Sequence, residues 1–460
     1  MSTDRPEPAP MPTESAGTAS AGTASAGPAP DAPAFGRLGE QGRLIVHLGR
    51  WIVLGAVSGV LAGSASYVFL EALERVTGAR IDRPWLLYLL PPAGLAVGAV
   101  YHYLGGRSAG GNAMIIDEIH EPTAWLPRRL APLVLVGTLT SHLFGASVGR
   151  EGTAIQMSGS LTDLASRLLR LRPGDRRTML IAAIAAGFGS VFGVPLAGAV
   201  FALEVQAIGR VRYDALVPAL TASLVGDLTV RGLGHRHAPR PQLGVDLDVA
   251  LAAKVALAGL LFGLAGVAFM ELTDLIRRLA ARVSWPPLRP VVGGVATIAL
   301  VAVFGRDELG LSLPLIDHAL AGQRGSLALP VLKIVFTAIA LGSGFPGGEV
   351  TPLFVIGSTA GAAIAPALGL PVALLAAVGF VAVFAGAANT PLACTIMGVE
   401  LFGSAAIVPL AIGCVVAYVF SSHRGIYPTQ RIGVAKGEVA IVGSPRVRDW
   451  SDRGSDPLRR

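Results

Sequence analysis

The chain has 460 residues, of which 52% are hydrophobic and only 15% charged, and its mean hydropathy is +0.60. This composition predicts an all-α polytopic membrane protein. The formal net charge of +7 comes from Lys and Arg residues scattered through short loops, which is the pattern of cytoplasmic loops in a membrane protein, so we expect no nucleic acid partner.

The N-terminal segment, residues 1–36, is rich in Pro, Ser and Ala and has too little apolar surface to form a core. No basic stretch leads directly into an apolar run, so the segment is not a signal peptide, and we expect a disordered cytoplasmic tail. We then expect a first membrane half over residues 37–234, a connector over residues 235–248 and a second membrane half over residues 249–432. Residues 433–460 are expected to form a short polar tail without an appended regulatory domain such as CBS domains.

Apolar segments recur along both predicted halves. A helix that crosses the roughly 30 Å hydrocarbon core needs about 20 residues, and several segments are shorter than this. Broken or re-entrant helices are therefore expected, and these are tolerated only where protein or a water-filled cavity covers the backbone. The predicted segments are residues 44–72, 84–104, 131–147, 153–170, 179–205, 215–230, 249–275, 288–304, 328–342, 350–369, 372–387 and 391–420.

Three glycine-rich breaks interrupt these segments, at residues 110–114 (Gly-Gly-Asn-Ala-Met), 149–153 (Gly-Arg-Glu-Gly-Thr) and 347–352 (Gly-Gly-Glu-Val-Thr-Pro). A helix that begins inside the membrane presents free N–H groups and the positive end of its dipole, which together can replace part of an anion's hydration shell. Each break alone could be a packing feature. Three of them in one membrane chain favour an anion site.

Glu151 lies in the second of these breaks, where an ionised and unpaired carboxylate is costly. Such a group either binds a proton or occupies a position prepared for negative charge. At an anion site the carboxylate competes with the ion when ionised and leaves when protonated, which couples proton movement to anion movement. Arg150 is its chain neighbour and does not face it on a helix, so we assign Arg150 a structural role at the turn.

Three other groups of polar residues lie outside the breaks. The first is a basic loop that we place in the cytoplasm, with Arg167, Arg170, Arg172, Arg176 and Arg177. The histidines His235 and His237 could suggest a metal site, but their Pro-rich connector predicts a solvated loop. Asp117 and Glu118 are interpreted as an inner-vestibule or loop pair.

Two further segments match each other across the halves. Residues 195–204 and 391–400 share their opening Pro-Leu-Ala and their closing glutamate, Glu204 and Glu400. With a glycine-rich break upstream in each half, this indicates a duplicated chain. Corresponding breaks in two halves point to an ion site at their interface. The two glutamates are expected to pair helices rather than take part in transport. The apolar surroundings of Cys394 and Cys414 predict packing residues, not a disulfide or zinc site.

Residues 149–152 (Gly-Arg-Glu-Gly), the break at 347–352, the Pro-Leu-Ala repeats and a late tyrosine, Tyr427, together resemble the CLC family of anion channels and anion/proton antiporters. The resemblance covers about residues 40–432. It implies a CLC-like fold with two inverted structural repeats whose broken and tilted helices meet at a central anion site. It also implies a homodimer with one pore per subunit, a multi-pass position in the inner membrane of a bacterium, and both termini in the cytoplasm. By the resemblance Glu151 is the gating glutamate and Tyr427 lines the inner end of the anion site.

The sequence departs from the chloride-transporting pattern of that family at the breaks. Asn112 stands where chloride-type members have a serine, Thr153 where they have proline, and Val350 where they have phenylalanine, while Glu349 is an additional carboxylate. Together these departures resemble the bacterial fluoride/proton antiporter branch, CLC-F. Some members of this branch carry a methionine where this chain has Gly110.

The residue chemistry agrees in part with fluoride as the ion. The side-chain NH₂ of Asn112 supplies two donors where serine supplies one, and Thr351 adds a hydroxyl. The expected anion-binding residues are Asn112, Gly111, Gly152, Val350, Thr351 and Tyr427, and the expected residues for gating and proton coupling are Glu151 and Glu349.

The proton path leaves two interpretations open. Val205 occupies the position of the second, cytoplasmic glutamate of the chloride/proton exchangers, which would suit a channel, whereas the fluoride branch also lacks that acid and Glu349 offers a replacement. We predict a secondary active antiporter that exports fluoride in exchange for protons. The alternatives are a chloride/proton antiporter or chloride channel of the same fold and, more remotely, a membrane sensor or scaffold that transports nothing. We expect no enzyme activity, no cofactor and no metal; the expected partners are fluoride or chloride, protons, the lipid bilayer and a second copy of the chain.

Overall fold

A computed structural model describes residues 34–244, 246–437 and 443–451. The predicted disordered tail lies outside the described residues except for residues 34–36, which are helical. The chain divides into two units, residues 1–47 and residues 48–460. The described part of the first unit is helical throughout, and the second unit contains the membrane helices and the candidate site.

The described residues are overwhelmingly helical, as the composition predicts. Their α-helices are α1 (Ala34–Asp82), α2 (Leu90–Val100), α3 (Gly111–His120), α4 (Leu130–Leu143), α5 (Glu151–Leu168), α6 (Pro173–Phe192), α7 (Pro195–Glu204), α8 (Leu216–Gly232), α9 (Val249–Ala280), α10 (Leu288–Phe304), α11 (Leu313–Leu320), α12 (Ala328–Ser343), α13 (Val350–Leu368), α14 (Val372–Ala388), α15 (Pro391–Phe402), α16 (Ile407–Phe420) and α17 (Val447–Ser451). Two short strands, β1 (Ala207–Ile208) and β2 (Arg431–Ile432), pair in parallel.

The membrane helices are of unequal length. Among the described residues, four helical segments are long and apolar enough to cross a membrane: Gly39–Asp82, Pro84–His120, Val249–Ala280 and Val350–Leu368. At about 1.5 Å rise per residue, the short helices α3, α7 and α11 cannot cross the hydrocarbon core alone. The expectation of broken helices is therefore confirmed, and two runs predicted as single segments, residues 179–205 and 391–420, are each divided into two helices.

The corners before the two repeated segments, between α6 and α7 and between α14 and α15, have the same local cause. After α6, Gly193 adopts a left-handed conformation (φ 72°), and Pro195 then opens α7. After α14, Asn389 adopts the same conformation (φ 59°), and Pro391 opens α15. A left-handed residue terminates one helix, and proline at the first position suits the start of the next because its missing N–H has no partner to lose there. The repeated sequence thus folds into the same corner in both halves.

The repeated helices α7 and α15 cap each other. The carboxylate of Glu400, on α15, accepts hydrogen bonds from the backbone N–H groups of Leu196 (2.9 Å) and Ala197 (2.8 Å) at the start of α7. Glu204, on α7, accepts from Leu392 (3.1 Å) and Ala393 (2.8 Å) at the start of α15. The helix-pairing role predicted for the two glutamates is confirmed, and the exchange is what a two-fold relation between inverted halves produces.

The core lies between the two halves. Buried apolar residues of α3, α5, α6, α7, α13, α14 and α15 form one continuous cluster. It contains a chain of packed aromatic rings, in which Phe354 stacks on Phe380 with centroids 4.0 Å apart and Phe188 stacks on Phe201 at 4.3 Å. This packing holds α6 and α7 of the first half against α13 and α14 of the second. Cys394 and Cys414 are buried free thiols in the same cluster, as expected of packing residues.

Candidate ion-transport site

The second and third glycine-rich breaks join head to head. Gly149 donates its N–H to the carbonyl oxygen of Gly348 (2.6 Å), and Gly348 donates to the carbonyl oxygen of Gly149 (2.9 Å). A Cβ at Gly149 would lie 2.8 Å from the oxygen of Gly348 and 2.6 Å from Glu151 Oε2, so only glycine permits this approach. The pair brings the N-termini of α5 and α13 to one place in the protein interior.

Glu151, the first residue of α5, points its carboxylate at the N-terminus of α13. The side chain is completely buried. Its Oε2 accepts hydrogen bonds from the backbone N–H groups of Thr351 (3.1 Å) and Arg150 (3.1 Å), and its Oε1 accepts from the hydroxyl of Thr351. Thr351 is the second residue of α13, so the carboxylate lies at the positive end of that helix dipole. The negative group of one half therefore occupies an anion-binding position made by the other half.

The first break brings an amide to the same region. Gly111 adopts a positive φ of 52° at the start of α3, which directs Asn112 toward α5. A Cβ placed on Gly152 would lie 3.0 Å from Asn112 Nδ2 and 3.4 Å from the Cα of Gly348. Asn112, Gly152 and the third break are thus neighbours, and a side chain at position 152 would press on the amide of Asn112.

Asn112 also has an unusual hydrogen-bonding state. Its Oδ1 is buried and accepts no hydrogen bond from the part of the chain that the structure describes. Buried polar atoms without a partner are rare, and one in a native structure calls for a functional or structural reason.

The remaining predicted site residues surround this point. Val350, the first residue of α13, is buried, and Glu349 is half-buried directly before it. Tyr427 is buried as well.

The tyrosine segment is fixed from two sides. The ring of Tyr427 packs edge-on against Phe201 with centroids 6.2 Å apart. Two residues later, the hydroxyl of Thr429 donates to the backbone oxygen of Ala113 (2.9 Å) at the start of α3. The structure thus assembles the predicted residues from four distant parts of the chain, and their individual roles in transport remain predictions.

Sequence reasoning did not identify two side chains beside the site. Gln156 lies one turn after Gly152 on α5, and its carboxamide packs against Gly111. Thr153 was recognised only as a departure from proline; its hydroxyl shares a 2.7 Å hydrogen bond with that of Thr138 and so fastens α5 to α4. The signal for Gln156 was its helical spacing of four residues from Gly152, which places both on one face.

Arg150 takes the structural place expected of it. Its backbone N–H binds Glu151, and its guanidinium carbon lies 5.9 Å from the centroid of the Phe192 ring. Next to it, the ring of His237 covers Gly193, because a Cβ there would lie 2.4 Å from that ring. Burial, followed by the positive charge of Arg150, lowers the pKa of His237 to about 4, so this connector histidine is neutral at neutral pH.

The prediction that the connector histidines are solvated is wrong for His235. This side chain is only 7% exposed, and its Nδ1 lies 3.4 Å from Glu71 Oε1 and 4.0 Å from Glu74 Oε1. The three ligand atoms lie within 4.8 Å of one another, a spacing that a metal ion could bridge. Arg75 pairs with Glu71 at 3.7 Å, so the protein's own cations partly balance the carboxylates, and we assign no metal to this set.

The prediction for Glu118 also needs correction. It is 2% exposed rather than open to a vestibule, and its carboxylate binds Arg107 (2.5 Å) and Arg176 (3.2 Å). Arg176 also binds Asp163 (2.6 Å) on α5. Buried charges require such pairing. The network joins the C-terminal parts of α3 and α5 to the start of α6. It therefore holds α3, the helix that carries Asn112, in place. Asp117 differs, being partly exposed and paired with Arg446 (3.2 Å).

Broken helices in two inverted halves, meeting head to head around a buried carboxylate, define a multi-pass membrane protein with a central ion site. Residues 93–422 match the family model described as voltage gated chloride channel. The chain belongs to this family, the CLC family.

Individual relatives cover nearly the whole chain. A chloride/fluoride channel protein of Pseudomonas syringae pv. tomato is 46% identical over 427 residues, covering 89% of this chain and 92% of the relative. The crystal structure of a CLC-type fluoride/proton antiporter superposes with a TM-score of 0.80 at 35% identity, covering 83% of this chain and 98% of that one. An H(+)/Cl(-) exchange transporter of Cronobacter sakazakii is 26% identical, covering 82% of this chain and 87% of the relative.

Proposed function

We propose that this protein is a secondary active antiporter that moves fluoride out of the cytoplasm in exchange for incoming protons. One observation carries the proposal: the carboxylate of Glu151, from the first half, is held at the N-terminus of α13 by the N–H and hydroxyl of Thr351. These donors suit any small anion, so the ionised carboxylate and the transported ion compete for one position.

Protonation would release this competition. A neutral carboxyl group has lost the charge that the helix dipole and the N–H donors stabilise, so it leaves the position more readily than the carboxylate does. An anion can then bind where Glu151 was, and the proton travels with the glutamate. Glu349 stands directly before α13, two positions from the Thr351 that binds Glu151, and this position suits it to exchange protons with Glu151.

Fluoride is supported over chloride by the residues at the breaks. Fluoride is small and strongly hydrated, so a selective site must offer close, strong donors, and the side-chain NH₂ of Asn112 lies beside Gly152 at the start of α5. The similarity to a CLC-type fluoride/proton antiporter supports the same choice. A chloride/proton antiporter or a chloride channel is the second candidate. Val205, in the place of an acid, favours the channel form.

We also propose that the protein is a homodimer in the inner membrane of a bacterium with both termini in the cytoplasm. The arginine-rich loop between α5 and α6 supports this orientation. The helices of the repeat leave exposed leucines at equivalent positions, Leu196 and Leu392, next to an exposed stripe on α8 formed by Leu216, Leu220, Leu224 and Leu228. A second copy related by a two-fold axis would cover this face. The mass of the purified protein in detergent, measured by light scattering, distinguishes a dimer from a monomer whose face is covered by lipid.

The experiment that tests the transport proposal is a flux measurement in liposomes. Purified protein is reconstituted, a fluoride gradient is imposed with K⁺ and valinomycin present to carry the compensating charge, and fluoride release and internal pH are recorded together. We expect fluoride release with opposite proton movement, and much slower chloride movement in the parallel experiment. Equal rates for the two anions would overturn the fluoride assignment. Anion flux without proton movement would make the protein a channel, and no flux of either ion would leave only a sensor or scaffold.

A further inference from the structure

Gln156 is a buried polar side chain beside the site that the proposed mechanism does not use. It is 9% exposed on α5. Its carboxamide lies flat against Gly111: a Cβ at Gly111 would be 3.3 Å from Gln156 Nε2 and 3.6 Å from its Oε1. The positive φ of Gly111 and the absence of a side chain there are what allow the glutamine to reach the first break.

The carboxamides of Gln156 and Asn112 converge. The position that a Cβ would take on Gly152 is 3.0 Å from Asn112 Nδ2 and 3.8 Å from Gln156 Nε2. Two NH₂ groups from different helices therefore face a common point beside the start of α5. The point lies on the side of Gly152 that also faces the third break, since the Cα of Gly348 is 3.4 Å from it.

The hydrogen-bonding state of Asn112 points to a ligand beside the two amides. Asn112 Oδ1 is buried and accepts no hydrogen bond from the described residues, so this amide is not held by an ordinary internal network. Most buried amide oxygens accept a hydrogen bond from a protein donor, and Asn112 differs from them in also having its NH₂ group beside the helix start of α5. An amide that holds an ion turns its NH₂ group to the ion and leaves the oxygen on the other side.

We infer that Gln156 is the second amide of the anion site and donates N–H, together with Asn112, to the transported fluoride. The inference rests on the proposed function and names a further ligand for it. An amide suits this position because it donates strongly to a small anion and does not titrate, so it holds the ion without competing for the proton that Glu151 carries.

The test compares fluoride binding among variants of the full-length protein. Sodium fluoride is titrated into the purified protein in detergent by calorimetry, and initial rates of fluoride and chloride flux are measured in liposomes. Gln156→Leu removes both donors with little change in volume, and we expect it to weaken fluoride binding about tenfold, as loss of a hydrogen bond to a charged group does. We also expect it to lower the fluoride-to-chloride flux ratio.

Gln206→Leu is the matched control. This glutamine is also fully buried, and its Oε1, like Asn112 Oδ1, accepts no hydrogen bond from the described residues. Its Nε2, however, donates within its own segment to the oxygen of Ala202 (2.9 Å), so its loss is expected to leave fluoride binding unchanged. Should Gln156→Leu not fold, Gln156→Asn keeps the amide but withdraws it by one methylene, and weaker fluoride binding in this folded variant supports the inference. Fluoride affinity and flux ratio within twofold of the wild type, in whichever variant folds, overturn it.

The outcome is separable from that of the proposed function. A wild-type protein that carries both anions equally defeats the fluoride assignment. The role of Gln156 is decided independently, by the ratio of variant to wild-type affinity for the same anion.

Discussion

The carboxylate of Glu151 accepts hydrogen bonds from both halves of the molecule, because Arg150 is its chain neighbour and Thr351 belongs to the second half. Its nearest donors are the N–H and hydroxyl of Thr351, 200 positions later in the chain. This arrangement differs from an ordinary buried ion pair, because the partners are a helix N-terminus and a neutral hydroxyl and can serve a free anion equally well. In the proposed mechanism, the buried carboxylate is therefore stabilised by these donors only while no ion occupies them.

We predict that Glu151→Gln abolishes proton coupling while leaving anion passage. Glutamine keeps the shape of the side chain, but it cannot ionise, and so it can neither compete as an anion nor carry a proton. Fluoride release and internal pH, recorded together in liposomes, should show anion flux without proton movement. Glu121→Gln, at a side chain that is 60% exposed, serves as the control and should behave as the wild type. Intact coupling in Glu151→Gln would remove this residue from the mechanism.

We predict that Gly152→Ala weakens fluoride binding by about tenfold or more. The new Cβ would lie 3.0 Å from Asn112 Nδ2 and so displaces the amide that faces the ion; such overpacking typically costs about 1–3 kcal/mol. Gly174→Ala is the matched control, because no atom lies within 4 Å of a Cβ at that helical position. Calorimetric titration with fluoride measures the effect, and equal affinities in the two variants would contradict the assigned position of Asn112.

The sequence marks the candidate residues whose identity is tied to backbone geometry. It did not mark Gln156 and it placed Glu118 wrongly in a vestibule, because the surroundings of these two residues depend on neighbouring helices. Glycines followed by Asn112 or Glu151 stand out because breaks in membrane helices are costly unless they bind something. Gln156 and Glu118 stand within ordinary helical patterns. Their importance depends on which helices pack beside them, and one sequence does not contain that information.

At the level of helices, the reciprocal caps of α7 and α15 replace the lost hydrogen bonds at two helix starts inside the protein. The first N–H groups of any helix lack internal partners. In each case the two carboxylate oxygens of a glutamate near the end of one helix accept hydrogen bonds from two N–H groups at the start of the other. The caps explain why a charged residue recurs at the end of two apolar segments.

We predict that Glu400→Ala and Glu204→Ala each lower the free energy of unfolding by about 1–2 kcal/mol, the usual effect of deleting a helix cap. Glu→Gln at either position should cost less, because the amide oxygen still accepts one hydrogen bond. Thermal unfolding in detergent provides the measurement, with Glu121→Ala as a surface control whose ion pairs contribute little. Wild-type unfolding temperatures for both alanine variants would show that the caps are not needed, and a selective loss of transport at full stability would argue for a direct role instead.

Helix type was predictable from composition, whereas the positions of helix ends were only partly so. The run at residues 179–205 has uniform hydropathy, so it was predicted as one segment, although Gly193 and Pro195 carried the signal for a corner. Hydropathy averages over a window longer than a three-residue turn, and a corner inside the protein needs no polar residues to mark it. The division follows instead from the left-handed backbone conformation. Gly193 adopts it because glycine has no Cβ, and Asn389 adopts it because the short polar side chain of asparagine tolerates it.

For the whole molecule, the structure links the two halves so that neither contains a complete site. The first half supplies Glu151 and Asn112, the second supplies Thr351 and Tyr427, and the contact between Gly149 and Gly348 joins them. The proposed exchange needs one group, the carboxylate of Glu151, that either occupies the ion's position or leaves it to bind a proton. Such a device has no inherent direction, because occupancy depends only on the ion and proton concentrations on each side.

We therefore predict that the direction of net fluoride movement follows the pH gradient. With equal fluoride on both sides of a liposome and an acidic exterior, protons enter and fluoride should accumulate outside; with an acidic interior, fluoride should accumulate inside. A fluoride electrode and an internal pH dye record both ions, and protein-free liposomes correct for leakage of hydrogen fluoride. The Glu151→Gln variant should show neither accumulation, since its anion pathway is no longer linked to protons. A wild-type fluoride distribution that stays equal under both gradients would mean that the two halves form a passive pore.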